Sequence, residues 1–366
     1  MTSTVPSKFS RPPSVRPESA TADPAAGKAA GPDLLDALRQ ATPRAAADRP
    51  EWTSSRPSPA AVCRFFCDLG PVEGAEFVRR HPKVVGQLEG APPALRYAAN
   101  RRQMRLGPYR SWEGQYLLFD EDAGRMAVVY GDLCHADRIA VLVPGANTRV
   151  ADFRRGLGGR EHRAPAQQAG NLHRAAVAAA EGRNTRIAVI AWLGYRPPSG
   201  FGLAAARQRL ATLGAVELLH FVDGLTAVRP RAAITVLAHS YGSAVVGVAA
   251  RRLPAQVTDI AVFGSPGMGV RRAAELGSRA RLWAAEAPAD WTRRVPGVRV
   301  LGLGHGQRPA HPAFGARPVP IAGVAGHDYY LAEGAASLAH LAAVVAGVEP
   351  GSAAAPQRDV ETNPIS

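Results

Sequence analysis

The chain has few of the residues on which several protein classes depend. Its 366 residues include three cysteines, Cys63, Cys67 and Cys134. They form neither the even set of a disulfide framework nor the ligand spacing of a zinc site. Cys63 and Cys67 lie four residues apart on a predicted helix, where reduced, buried side chains are expected. We therefore expect no metal, no cofactor and a reducing, cytoplasmic environment.

Lysine is equally scarce, because Lys8, Lys28 and Lys83 are the three in the chain and arginine supplies nearly all of the formal net charge of +14. The arginines occur in ones and twos without interleaved aromatic residues, unlike a nucleic-acid-binding surface. Together with the Ala, Gly and Pro content, they are typical of a GC-rich genome. We expect a small-molecule acyl substrate and no specific nucleic-acid partner, and the sequence leaves the oligomeric state open.

Long hydrophobic runs are also missing. No stretch approaches the roughly 18 to 20 uninterrupted apolar residues needed to cross a bilayer, so we expect no transmembrane segment. Met1 to Pro32 is rich in Pro, Ser and Ala and lacks the apolar centre of a signal peptide. Residues 1–50 and 348–366 are predicted to be disordered.

The hydrophobic pattern between these ends changes once. Residues 51–112 form a predicted helical extension, with apolar residues at helical spacing from Pro59 to Arg105 and breaks at Gly70-Pro71 and at residues 90–93. Its apolar side chains are too numerous to remain in water, so we expect them to pack on the rest of the chain, with a role as a cap over the active site left open.

Residues 113–347 begin with a predicted hairpin and continue as alternating strands and helices, which predicts the α/β class with a mostly parallel, doubly wound sheet. The predicted strands are Gln115–Phe119, Met126–Tyr130, Ile139–Val143, Ile187–Trp192, Ile234–Leu237, Asp259–Phe263 and Ala280–Ala285. The predicted helices lie near Pro165–Gly182, Leu203–Ala227, Ser243–Ala250, Arg271–Ser278 and Ala335–Ala346.

The most informative segment joins the strand that ends at Leu237 to the helix that begins near Ser243. Between them stands Ala238-His239-Ser240-Tyr241-Gly242, a serine between small residues at a sharp turn. Such a turn crowds the backbone, lifts Ser240 clear of the sheet and points the free N–H groups of the helix at developing negative charge. It predicts a nucleophile elbow with Ser240 as the nucleophile.

A serine nucleophile needs an imidazole base, and that base needs an acid to fix its tautomer. In this order of elements the acid and the base follow the serine on later loops. Asp290 follows a strand at the correct end of the sheet and is preferred to Glu286 and to Asp328. His327, in a glycine-preceded loop before the last helix, is preferred as the base, ahead of His305, His311 and His340.

Two backbone N–H groups must stabilise the oxyanion. Tyr241 follows the nucleophile and is expected to supply one. The other is expected from the small-residue turn after the strand Ile139–Val143, with Ala146 as the first choice and Asn147 as the reserve.

With these residues in place, the chain resembles an actinobacterial α/β-hydrolase family of unknown function whose members carry a helical region before the hydrolase core. The similarity runs from about His81 to Gly347. Its motifs include Val143-Pro144-Gly145, Ala191-Trp192-Leu193-Gly194-Tyr195, His239-Ser240-Tyr241-Gly242-Ser243, Gly264-Ser265-Pro266-Gly267, His311-Pro312-Ala313-Phe314-Gly315 and Gly326-His327. The family usually has glycine where this chain has Ala238. The resemblance implies the α/β-hydrolase fold and a serine hydrolase core, without a substrate.

Three functions fit these residues. An esterase- or lipase-like hydrolase acting through an acyl-serine intermediate is preferred. An acyltransferase would use the same triad with an alcohol or amine in place of water. A non-catalytic binding or scaffold protein on this fold is disfavoured because Ser240, Asp290 and His327 are all present.

Overall fold

The computed structural model of the protein describes residues 57–200, 208–295 and 304–350. The predicted disordered segment 1–50 lies outside these residues, as do residues 351–366 of the predicted tail. The predicted start of the helix near Leu203 also lies outside them.

The described residues form eight strands and seven α-helices of six residues or more. The strands are β1 (Gln115–Asp120), β2 (Arg125–Tyr130), β3 (Arg138–Val143), β4 (Ile187–Leu193), β5 (Ala233–His239), β6 (Val257–Phe263), β7 (Arg281–Ala285) and β8 (Arg317–Pro318). The helices are α1 (Pro59–Arg80), α2 (Pro82–Gln87), α3 (Pro93–Met104), α4 (Pro165–Ala179), α5 (Gln208–Val228), α6 (Gly242–Ala249) and α7 (Ala336–Ala346). Each predicted strand is present, with bounds that differ by one to three residues.

The strands form one sheet in the order β1-β2-β4-β3-β5-β6-β7-β8. The β1-β2 hairpin joins β4 in antiparallel fashion, and every pair from β4 to β8 is parallel. Helices cover both faces, because α5 and α6 share one hydrophobic cluster with the sheet while α4 and α7 share another. The central strands are therefore apolar along their whole length, and all seven residues of β4 are buried. The predicted doubly wound α/β fold is confirmed.

The predicted helical extension consists of α1, α2 and α3. Gly70 interrupts α1 with φ 80° just before Pro71, so the predicted break is present as a kink. The helices have a hydrophobic cluster of their own, in which the rings of Phe65, Phe66 and Phe77 pack edge to face at centroid distances of 5.1 to 5.9 Å. The division of the chain at residues 112 and 113 remains a prediction.

The extension packs on the core of the same chain, as expected. Asn100 of α3 is fully buried, and its side-chain amide donates to the backbone carbonyls of Gly86 and of Tyr116 in β1. Cys63 of α1 contacts the carbonyl of Ala227 in α5. These contacts attach the helices both to the edge strand and to a helix on one face of the sheet.

Three predictions about local structure were wrong. The helix predicted near Arg271–Ser278 is a single 3₁₀ turn, Ala273–Leu276, which Gly277 ends at φ 62°. The two-residue strand β8 was not predicted. Cys67 is exposed rather than buried, since the helix turns that residue away from the core, and all three cysteines are free.

Among the described residues, one helix is long and apolar enough to cross a membrane by length and composition. It is Arg209–Val228, within α5, with a mean hydropathy of 1.3 over its apolar window. Half of that window is buried, and Leu218, Phe221 and Val222 belong to the hydrophobic cluster on one face of the sheet. A core helix of this kind passes the same length and composition test.

Candidate active site

Ser240 stands at a strained turn between β5 and α6. Its φ of 54° makes it one of two described non-glycine residues with positive φ, the other being Asn147. Its backbone N–H donates to the carbonyl of Phe263 in β6, which fixes the turn to the neighbouring strand. Gly242 is required on the helix side, since a Cβ there would lie 2.6 Å from the carbonyl oxygen of Val143. Ala238 is compatible with this turn, and an elbow forms without the usual first glycine.

The hydroxyl of Ser243 faces the backbone of the elbow. Ser243 is fully buried, and its Oγ donates to the carbonyl of Ser240 at 2.6 Å. Ser265 in turn donates to the Ser243 hydroxyl, also at 2.6 Å. The two serines thus support the elbow from below, whereas Ser240 lines a cavity.

Asp290 and His327, which are 37 residues apart in the sequence, form a hydrogen-bonded pair. His327 Nδ1 lies 2.9 Å from one carboxylate oxygen of Asp290 and 3.1 Å from the other. A carboxylate accepts, so Nδ1 carries the proton and Nε2 of neutral His327 is left as a basic nitrogen. Asp290 follows β7 and His327 precedes α7, so parallel strands bring both to the edge of the sheet where β5 ends at the elbow.

Asp290 is held by more than His327. One oxygen accepts from the backbone N–H and the hydroxyl of Thr292, at 2.8 and 2.6 Å, and the other accepts from the hydroxyl of Tyr330 at 2.6 Å. Burial raises the pKa of the carboxyl, but the hydrogen bond and charge of His327, together with the bonds from Thr292 and Tyr330, outweigh it. The net pKa lies well below its usual range, so Asp290 is ionised.

Gly264, the residue after β6, makes room for this pair. It has φ 56°, and a Cβ there would lie 2.9 Å from Asp290 Oδ2 and 3.0 Å from His327 Nδ1. Both the backbone conformation and the contact therefore require glycine. The sequence analysis noted this residue as part of a motif without assigning it a role at the site.

The turn after β3 lies beside Ser240. A Cβ on Gly145 would be 2.7 Å from the Cβ of Ser240, so Gly145 permits close approach, and Ala146 and Asn147 line the same cavity. The backbone N–H of Asn147 donates to the carbonyl of Pro198, at 3.0 Å. Because that N–H is already used, Asn147 is a poor reserve for the oxyanion hole, whereas Ala146 keeps its place as the expected donor beside Tyr241.

Ser240 and His327 line one cavity of about 380 Å³. Its outer wall is the segment from Asp152 to Gln168, which contributes seven lining residues and is called the wall segment below. Two contacts join this wall to the residues after the imidazole. Arg163 Nε pairs with Asp328 Oδ2 at 2.7 Å, and the ring of His162 stacks on Tyr329 at 4.2 Å. No residue of the extension, within the described range 57–112, lines the cavity, so the helices do not cap it.

The acidic residues that were rejected from sequence have structural partners elsewhere. Glu286 pairs with Arg308 and lies 3.7 Å from Arg293. Asp259 is fully buried at the opposite end of β6, where it accepts from Arg281 and from the indole of Trp283. Asp328 pairs with Arg163 as described above.

The remaining histidine candidates also lie away from this pair. His311 accepts from the backbone N–H of Ala313 at the start of a short 3₁₀ turn. His340 packs on Trp283 from within α7. His305 contacts the ring of Tyr241 at a centroid distance of 5.9 Å.

Three side chains of the site could not be identified from sequence. Tyr330 and Thr292 bind Asp290, and Trp291 packs on the imidazole of His327 at 4.8 Å between ring centroids. Their neighbours in the sequence, Asp290 and His327, were the available signal. Which of several nearby polar or aromatic residues makes the contact depends on the loop conformation, which no spacing pattern predicts.

One group of side chains in the described part of the chain has metal-ligand geometry. His239, His327 and Asp328 each offer an atom within 4.8 Å of the others. All three already have protein partners, since His239 binds the backbone carbonyl of His327, His327 binds Asp290 and Asp328 binds Arg163. The hydrogen-bonding capacity used by these contacts makes the group self-sufficient, and no metal site is assigned.

A family model described as alpha/beta hydrolase matches residues 120–300. An uncharacterized protein of Mycobacterium tuberculosis is 34% identical over 160 residues, which cover 41% of this chain and 55% of that protein. A second uncharacterized protein of the same organism is 31% identical over 252 residues, covering 61% of this chain and 37% of that protein. The chain thus spans about half or less of the length of these relatives.

Solved structures give weaker likenesses. Esterase PE8 has a TM-score of 0.40 and 15% identity, with 61% of this chain and 99% of that chain covered. A carboxylesterase from Mesorhizobium loti has a TM-score of 0.38 and 15% identity, with 62% and 96% covered. Identities this low do not indicate a shared activity. On the family match, the parallel sheet and the elbow that it carries, the chain belongs to the alpha/beta hydrolase family, with uncharacterized actinobacterial relatives.

Proposed function

We propose that this protein is a serine hydrolase that cleaves a carboxylic ester through an acyl-serine intermediate. Ser240 is the nucleophile, His327 the general base and Asp290 the residue that orients the base. The observation that carries the proposal is the bond from His327 Nδ1 to an ionised Asp290, made by an imidazole that lines the same cavity as the elbow serine. This is the donor arrangement a serine nucleophile needs.

The proposed reaction has two steps. Nε2 of His327 takes the proton of Ser240 as Oγ forms a bond to the carbonyl carbon of the ester. The backbone N–H groups of Tyr241 and Ala146 stabilise the oxyanion, and collapse breaks the bond to the leaving alkoxide, which takes the proton from His327. Water repeats the sequence on the acyl-serine and releases the acid. A cavity of about 380 Å³ suits an acyl group of modest size.

Covalent labelling tests the nucleophile. A fluorophosphonate should label the wild-type protein, and a short-chain p-nitrophenyl ester should be cleaved. Ser240→Ala should abolish labelling and lower kcat by several orders of magnitude, since removing a triad member commonly does so. Ser243→Ala and Ser265→Ala are the controls, because both hydroxyls bind within the protein. Full activity in Ser240→Ala, with loss in either control, would show that the elbow is misassigned. A protein that neither labels nor turns over would be a scaffold.

Substitutions of the base and the acid test the rest of the triad. His327→Ala should be as damaging as Ser240→Ala. Asp290→Asn should lower kcat somewhat less, by about 10³- to 10⁴-fold, because the amide no longer enforces the Nδ1–H tautomer. Glu286→Gln is the matched control, since Glu286 pairs with Arg308 outside the cavity wall. Undiminished turnover in Asp290→Ala beside an inactive Glu286→Gln would transfer the role of the acid to Glu286.

A further inference from the structure

A second histidine at the elbow contacts the loop that carries the proposed base. His239 is the last residue of β5 and directly precedes Ser240. Its Nε2 lies 2.7 Å from the backbone carbonyl oxygen of His327. A carbonyl oxygen only accepts, so Nε2 of His239 carries the proton and donates. The residue before the nucleophile is therefore bonded to the backbone of the base.

The surroundings of His239 keep it uncharged. It is 8% exposed, and its ring stacks on Phe263 at 5.5 Å and lies 4.6 Å from the ring of His327. Burial, reinforced by the neighbouring charge of protonated His327, lowers its pKa from 6.5 to about 4. His239 is thus a neutral donor over the range in which a serine hydrolase works, and it adds no positive charge beside the imidazole.

His239 is poorly suited to be the base itself. Its Nε2 is committed to the carbonyl, and its basicity is reduced by burial. The proposed reaction uses His327, Asp290 and Ser240 and gives His239 no task, yet His239 lines the same cavity. A buried polar group with one well-formed bond to the backbone of the base is consistent with a structural link between the two halves of the site.

We propose that His239 is a positioning residue, which holds the loop of His327 at the end of β5 so that the imidazole stays within reach of Ser240. This inference rests on the proposed function and concerns the same site. The carboxylate of Asp290 fixes the orientation of the His327 ring, and the bond from His239 fixes the height of its backbone. A displacement of about 1 Å at such a site lowers rates by as much as about 100-fold.

A pair of substitutions separates the hydrogen bond from the shape of the ring. His239→Phe keeps a ring that can stack on Phe263 but has no donor. His239→Gln keeps a donor near the position of Nε2 but has no ring. With p-nitrophenyl acetate, we expect His239→Phe to lower kcat by about 10- to 100-fold with KM within about 2-fold, and His239→Gln to retain most of the wild-type kcat. Wild-type kcat in His239→Phe, or a lower kcat in His239→Gln than in His239→Phe, would overturn the proposal.

An NMR measurement tests the bond without any need for turnover. In protein with ¹⁵N-labelled histidine, His239 should be neutral at pH 7 with its proton on Nε2, and its signals are assigned by their loss in His239→Phe. The same variant should shift the imidazole signals of His327. A proton on Nδ1 of His239, or unchanged His327 signals in the variant, would refute the positioning role. If the NMR results hold in a protein that neither cleaves the ester nor reacts with the fluorophosphonate, the proposed function fails and the bond remains.

Discussion

The two histidines at the site have opposite relations to charge. His327 faces an ionised carboxylate and is equipped to accept a proton, whereas His239 is enclosed by Phe263, by His327 and by the backbone. Neighbours in space thus differ because one has an acidic partner and the other has a carbonyl partner. A neutral acceptor does not repay the desolvation of an imidazolium.

The enclosure of His239 predicts a loss of stability in acid. Its pKa is about 4 in the folded protein and 6.5 when unperturbed, so between these values the unfolded chain binds the proton and the folded chain does not. The contribution is complete above pH 6.5 and is lost as the pH falls towards 4. We expect the wild-type free energy of unfolding to fall by about 2 to 3 kcal/mol more than that of His239→Phe between about pH 7 and pH 4.5. Urea unfolding of both proteins at each pH measures the difference, and parallel losses would contradict it.

Single residues were predictable where chain order restricted the choice. Ser240 stands at a recognisable turn, and the loops after it offer few acids and histidines. The partners of those residues were not predictable, since Tyr330 reaches Asp290 across 40 residues. His239 has no signal beyond its position before the serine, because its partner is a backbone oxygen rather than a side chain.

At the scale of elements, the end of β6 is the point where the acid and the base meet. Gly264→Ala should therefore lower kcat by at least about 10-fold, because a Cβ would displace Asp290 or His327 by several tenths of an ångström. It should also cost about 1 kcal/mol of stability for the left-handed backbone. Kinetics and urea unfolding of the same variant measure the two effects.

Gly124→Ala is the matched control for that substitution. Gly124 has a similar φ of 66°, and a Cβ there would meet nothing within 4 Å. It should show the same loss of stability with unchanged kcat. If Gly264→Ala turns over at the wild-type rate, the acid and the base do not depend on this contact.

Strands were predicted better than the segments between them. The apolar runs from β3 to β7 have few other interpretations once their alternation with helices is noted, and each is present. The residues near Arg271–Ser278 have a helical pattern but form a 3₁₀ turn, since Gly277 ends them after one turn. The wall segment has no regular pattern, and it was consequently not predicted to line the site.

At the scale of the whole molecule, the helical extension is part of the folded core rather than a separable module. Residues 114–347 expressed alone would lose Asn100 from the edge strand and would expose the face of α5 on which α1 packs. Two buried hydrogen bonds from Asn100 contribute about 1 kcal/mol each, and the apolar burial adds to them. We expect an insoluble product, or one with a melting temperature at least about 10 °C below that of the full chain.

The control for this truncation is the full chain with Arg102→Ala, a change at an exposed position of the same helix α3 that should leave melting unchanged. Thermal unfolding followed by circular dichroism makes the comparison. A soluble, cooperatively folding and fully active 114–347 fragment would show that the extension is independent of the core.

The contacts of the wall segment with the loop of His327 restrict how this protein can be recombined with its relatives. Arg163 and Asp328 are 165 residues apart, and the stack of His162 on Tyr329 lies beside their ion pair. A chimera that receives residues 149–168 from another family member changes the acyl-facing surface and, at the same time, the support of the loop that bears the imidazole. Exchanging residues 326–330 together with the wall keeps both contacts matched. Grafting substrate preference onto this scaffold therefore requires two inserts, not one.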